Sequence, residues 1–295
     1  MRLGNDSLVK FHQYLSKGTV VELFIFVCLL STLLLSSLFD LSISKALYEP
    51  SSWLGQIGAD YGELPGHILI VLSLIFLSAT KFSSETHLGV FFPALMLVAA
   101  NIYLFIVLAE QLGIQPDKST LFLVFLFSIL VVTGLFVLIR SIELPLKDKI
   151  EQVALLTISL GLMGPLIAVQ SLKLLWGRSR YRDLDSSHSQ FSPWFEPQGW
   201  TGNYSFPSGH TAMGWMVLPL LELTKNQNKF VRLLVCFLVV IWGLFVAWSR
   251  VVLGAHYFSD VIASTILLYT FYVLLKNYLT RTTPNQDRSI VEDSV

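Results

Sequence analysis

Charge is what this sequence has least of. Only 14% of its 295 residues are Asp, Glu, Lys or Arg, against about 25% in a soluble domain. With 54% hydrophobic residues and a mean hydropathy of +0.64, the balance excludes a soluble globular domain and reads as a chain that crosses a membrane several times. The formal net charge is zero and no basic block is present for a nucleic acid. Two cysteines exclude a disulfide framework. Cys28 and Cys236 fall inside apolar runs and are expected to be buried, packed thiols. No small-residue cleavage site follows the first apolar run, which is long enough to stay as a span. Repeats, heptads and a carboxylate cluster for a divalent metal are also missing.

What is present is a series of apolar runs that predicts an all-α, polytopic transmembrane bundle of about eight spans. They fall roughly at 20–39, 64–80, 88–109, 120–139, 150–175, 208–224, 232–249 and 257–276. Residues 1–19 are expected as a cytoplasmic segment, 20–276 as the transmembrane domain and 277–295 as a polar cytoplasmic tail. Segment 40–63 is acidic (Asp40, Glu49, Asp60, Glu63) and reads as an outer stretch along the membrane surface, with Trp53 at the interface. Segment 177–207, with Trp194, Trp200 and three prolines, reads as an irregular cap over the outer face.

With both termini inside, the cations gather on the inner side, as topology requires. Of the 20 basic residues, the exceptions are Lys45, Lys118, Lys173, Arg178, Arg180, Arg182 and Arg250. Five of these seven lie in or beside three short motifs, so an outer cluster of positive charge needs a reason beyond topology. An anion is the simplest.

The motifs are Lys173-x6-Arg180, Pro207-Ser208-Gly209-His210 and Ser249-Arg250-x5-His256-x3-Asp260. Each stands where a span begins or ends, so two successive hairpins carry all three to one membrane face. His256 and Asp260, four apart, share a helix face, where the carboxylate can hold one imidazole nitrogen and leave the other free as a nucleophile or base. The alternative is a structural pair at a helix start. Pro207–His210 opens a helix whose unpaired N–H groups suit an oxyanion, with His210 placed to protonate a leaving oxygen. Taken alone, it reads more often as an ordinary cap with a surface histidine. Lys173, Arg180 and Arg250 can clamp the equatorial oxygens of a phosphoryl group, although a lysine near a helix end also snorkels. Arg178 and Arg182 are read as flanking charges outside the clamp. Glu63 and His67 either line a substrate route or cap a helix. His188 reads as solvated, and Glu22 and Glu222 as interfacial.

Taken together, the three motifs resemble the signatures of the type 2 phosphatidic acid phosphatase superfamily. The resemblance covers about ninety residues. It implies that His256 is the nucleophile, Asp260 its orienting partner and His210 the general acid. It further implies that Lys173, Arg180 and Arg250, with Ser208 and Gly209, bind phosphate, without a metal or other cofactor. Two departures stand out. Tyr181 follows Arg180 where the family usually has proline, which puts loop geometry in question. Eight spans exceed the usual six-helix core, which leaves two helices to be explained.

The implied activity is hydrolysis of a lipid phosphate or isoprenoid pyrophosphate at the extracytoplasmic face of a bacterial cytoplasmic membrane, through a phosphohistidine. The alternatives are phosphotransfer to another lipid or sugar, hydrolysis of a soluble sugar phosphate, and non-catalytic lipid binding or transport. Haloperoxidase activity is disfavoured, because that branch of the superfamily is soluble. The sequon at Asn203 is discounted because it lies so near the motifs.

Overall fold

The computed structural model describes residues 17–111 and 117–282. The expected terminal segments therefore lie largely outside it, including Arg2, Lys10 and Arg288. Within the described residues, seven helices are long and apolar enough to cross a membrane. The chain is a multi-pass helical bundle.

Helix α1 (Lys17–Leu47) is followed by a short helix, α2 (Trp53–Tyr61), and by α3 (Leu64–Lys81), α4 (His87–Gln111) and α5 (Lys118–Ser141). Helix α6 (Lys147–Gly161) passes without a break into a wider π-helical stretch, Leu162–Val169, and then into α7 (Gln170–Trp176). Pro165 lies inside that stretch. It has no N–H to give to the ladder, and such sites are where α-helices take up an i→i+5 turn.

The sixth expected span, 208–224, is the point of difference. It is a broken crossing made of α8 (Gly209–Gly214), a 3-10 turn at Trp215–Val217 and α9 (Leu220–Leu223). Pro219, just before α9, lacks the N–H that a continuous helix would need. Residues 211–217 are all buried, and Met216 and Ala212 form the centre of the largest apolar cluster, with Leu160, Val169 and Leu268. A segment enclosed by the other helices can satisfy its backbone locally and need not be a full-length span. Helices α10 (Lys229–Val252) and α11 (Phe258–Thr282) complete the fold, with α11 running six residues beyond the expected end at 276.

Packing follows from small residues at the crossings. A Cβ on Gly66 of α3 would come within 2.6 Å of the Met213 carbonyl of α8. One on Gly164 would come within 2.8 Å of Leu268 in α11. Helix α1 packs on α11, α2 on α10, and α3 lies between α4 and α6. At one end, polar contacts tie the bundle together: Lys81 with Glu151, Lys276 with Glu22, and Glu222 with Lys225 and the Tyr272 hydroxyl. Cys28 and Cys236 depart from expectation, since both are exposed on the bundle surface. An apolar run faces lipid on one side and protein on the other, so hydrophobicity alone does not say which way a thiol points.

Candidate active site

Helix α10 stops at Leu253, and Gly254 takes the left-handed conformation at φ 62°. The space there is tight: a Cβ would meet the Tyr48 ring at 2.7 Å. The turn brings the Ala255 and His256 N–H groups back to the Arg250 carbonyl, at 3.0 and 3.2 Å. Arg250 and His256 are thereby fixed to each other by main chain. Ser208 caps α8, its hydroxyl accepting from the Thr211 N–H at 3.3 Å. Its own N–H donates to the Asp260 carbonyl, and its carbonyl accepts from the Ser264 hydroxyl at 2.8 Å. These bonds fasten the second motif to α11, which starts the third motif's carboxylate.

The residues expected to form the site do converge. Lys173 lies within electrostatic reach of Arg180, Arg250, Glu63 and Asp260. His210 is within reach of His256, Arg250 and Lys173. The Lys173 ammonium sits over Gly209, where a Cβ would come within 3.1 Å of it. Arg250 is 7% exposed, and its Nε has no hydrogen-bond partner among the described residues. A buried guanidinium donor without a partner is costly unless an anion supplies one.

His256 is 3% exposed. Its Nδ1 lies 2.5 Å from the Ser205 carbonyl and 3.6 Å from Asp260 Oδ2. The nearer partner is therefore a backbone oxygen, which can only accept. That places the proton on Nδ1 and leaves Nε2 with a free lone pair. Burial pushes His256 down to about 4, with Asp260 opposing the shift and Arg250 and Lys173 adding to it. The imidazole is neutral at physiological pH.

Asp260 is tied down on every side. Its carboxylate accepts from Arg178 Nη1 at 2.5 Å, the Ser205 hydroxyl at 2.6 Å and the Tyr257 N–H at 2.9 Å. Arg178 departs from the expectation of a flanking charge. It is 1% exposed and also reaches Asp40 at 2.9 Å, the Ser259 hydroxyl at 2.8 Å and the Ser192 carbonyl at 2.8 Å. Its guanidinium lies over the Tyr257 ring, 4.0 Å from the centroid. Asp40, expected in an acidic outer segment, is instead buried within α1 at 2% exposure, and it also accepts from the Ser259 N–H. The signal that could have found it was a carboxylate at the end of an apolar run, where charge is seldom left without a partner.

Glu63 and His67 line the site directly. Glu63 Oε1 is 3.2 Å from His210 Nδ1, and its other oxygen is 3.6 Å from His67 Nε2. An apolar pocket of about 580 Å³ opens beside His210, Lys173 and Gly209, walled by α3, α4 and the α6–π segment.

The segment between α7 and α8 is held rather than loose. Trp194 donates to Ser37 of α1 at 2.7 Å, and Trp176 stacks on Phe206 at 4.7 Å. Tyr181, standing where proline was expected, packs edge-on to Tyr48 at 5.2 Å and stacks on His188 at 5.6 Å. Aromatic packing supplies the stiffness that a proline ring would have given. His188 is thus partly covered rather than solvated. Asn203 donates to Ser179, and Ser205 is buried against Asp260.

Comparison with known proteins agrees with this geometry. Residues 153–284 match the PAP2 superfamily model. Over 80 residues the chain is 39% identical to a phosphatidylglycerophosphatase B of Haemophilus influenzae. That alignment covers 26% of this chain and 33% of the relative. No solved structure matches.

Proposed function

From the PAP2 superfamily domain that this chain carries at residues 153–284, we propose that the protein is a membrane phosphatase acting on lipid phosphates at the extracytoplasmic face. The observation that carries the reading is the meeting of two imidazoles with Lys173, Arg180 and the unpartnered Arg250 Nε beside an apolar pocket that Lys173 and His210 line. An anion suits the cations and a hydrocarbon chain suits the pocket. A lipid phosphate combines the two.

In this account the three cations, with Ser208 and Gly209, hold the phosphoryl oxygens. His256 Nε2 attacks phosphorus while the ester P–O bond breaks, and His210 gives its proton to the leaving oxygen. Water then attacks the phosphohistidine and passes a proton to His210. Inorganic phosphate leaves and His256 is regenerated. Every step uses groups of this chain and water. The apolar wall of the pocket favours a lipid over a soluble sugar phosphate, and the phosphatidylglycerophosphatase relative supports the same class.

The test is phosphate release in detergent from phosphatidic acid, phosphatidylglycerophosphate, an isoprenoid pyrophosphate and a sugar phosphate, with EDTA present and vanadate as competitor. The expected result is vanadate-sensitive release that falls as the acyl chains are shortened. Release from the sugar phosphate alone, or from none of the four, overturns the proposal.

A further inference from the structure

Glu63 lies ninety residues before the family match begins, and none of the three motifs includes it. We infer that Glu63, backed by His67 and Tyr103, is the positioning residue for His210, holding its ring with one nitrogen toward the substrate. The inference rests on the phosphatase reading and adds a second His–carboxylate pair to it.

The geometry starts with a glycine. Gly66 lets α3 lie against α8 so closely that no side chain would fit between them. Glu63 and His67 flank Gly66 at positions three before and one after. Glu63, the residue that caps α3, is three before Gly66 and four before His67, so it lies on the side of the helix start next to each. Glu63 thereby reaches His210 Nδ1 at 3.2 Å. An ionised carboxylate accepts only, so Nδ1 must be the donor, and Nε2 is the nitrogen left for the leaving oxygen.

The same logic runs outward. His67 Nε2 faces the other Glu63 oxygen at 3.6 Å, so His67 Nδ1 accepts from the Tyr103 hydroxyl, 2.6 Å away on α4. Glu63 thus sits between two imidazoles, and the chain Tyr103–His67–Glu63–His210 forms a polar strip along an otherwise apolar pocket wall.

Charge explains why such a strip is needed. His210 must be protonated to act, yet Lys173 and Arg250 face it, with His256 and Arg180 close by. Burial first, and then those cations, oppose a positive charge on the ring. Glu63 is the carboxylate in direct contact with the ring, and its charge compensates the imidazolium. No proton moves onto Glu63. The proton passes from His210 Nε2 to the leaving oxygen, and the carboxylate stays ionised throughout.

The experiment is the pH dependence of kcat/KM on a lipid phosphate for the full-length protein, comparing wild type with E63Q, E63D and Y103F. E63Q keeps shape and loses charge. Its kcat is expected to fall by about 10²-fold, with KM changed less. The alkaline limb, which reports His210 in its protonated form, should move to lower pH by about one unit or more. E63D restores the charge and should recover most of the limb, and Y103F should cost a few-fold in kcat. A glutamate that merely packs the helices would lower the yield of folded protein without moving the limb. An unmoved limb in active E63Q therefore overturns the inference, while the phosphatase reading stands. A wild type without activity would instead bring down the phosphatase reading itself.

Discussion

The two histidines sit at the same site in opposite kinds of surroundings. Behind His256 the charged groups are buried and paired with one another. A backbone carbonyl fixes its tautomer, Asp260 is saturated, and Arg178 bridges Asp260 to Asp40 at 1% exposure. Behind His210 there is an open pocket, a contact with Glu63 in which both side chains keep a quarter or more of their surface, and a pair of groups from α3 and α4. The difference matches the work proposed for each. A nucleophile needs one orientation and a neutral ring. A proton donor must change charge in every cycle, which a rigid, fully desolvated setting would resist.

The comparison also divides the chain. The residues proposed to hold and attack the phosphate all lie within the matched stretch, 153–284. Each histidine's outermost carboxylate comes from before it, Asp40 from α1 and Glu63 from the start of α3. Two segments that precede the matched stretch therefore support the site.

The sharpest way to break this comparison is Arg178→Met. It leaves Asp40 and Asp260 buried with no cation between them, and an uncompensated buried charge costs about 3–5 kcal/mol. Thermal unfolding in detergent should show a large loss of stability, with activity falling alongside it. An unchanged melting temperature would mean that the network contributes nothing. Asp40→Asn is the milder cut, because it keeps the shape and leaves Asp260 paired with Arg178. It should cost about 1–3 kcal/mol, read in the same melt, with kcat reduced less than in E63Q.

The pH profile sharpens the contrast further. In the proposed mechanism His256 acts in its neutral form, and burial holds it down to about 4. As pH falls through that value the ring gains a proton and loses its nucleophilic lone pair. The acid limb belonging to His256 is therefore expected near pH 4 in kcat/KM, and a limb near 6.5 would contradict the buried, carbonyl-bound ring. The smallest effect should come from Tyr181→Pro. It restores the residue usual in the superfamily but removes the contacts with Tyr48 and His188. A loss of ~1 kcal/mol in stability with nearly unchanged kcat is expected.

The motif residues were legible because their spacing relates them to helix ends, and helix ends follow from where apolar runs stop. Lys173, His210, Arg250 and His256 needed only two hairpins to meet. Arg178 was not legible in this way. Beside Arg180 and Arg182 it looks like one more surface cation, and only the approach of α1 shows that it is buried between two carboxylates. Glu63 and His67 carried a hint in their i, i+4 spacing, but what they face depends on Gly66 and on α8. The broken crossing at 208–224 escaped for a related reason. Its hydropathy is that of a span, while its interruption depends on neighbours that satisfy its backbone.

The most direct measurement is an acid-labile, base-stable phosphate on His256. Wild-type protein mixed with labelled lipid phosphate, quenched in alkali during turnover and digested, should carry the label on the peptide containing His256. His256→Ala should carry none and release no phosphate while still inserting and melting as a folded protein. Lipid phosphatase activity in His256→Ala, or turnover in wild type with the label on some other residue, would contradict the account.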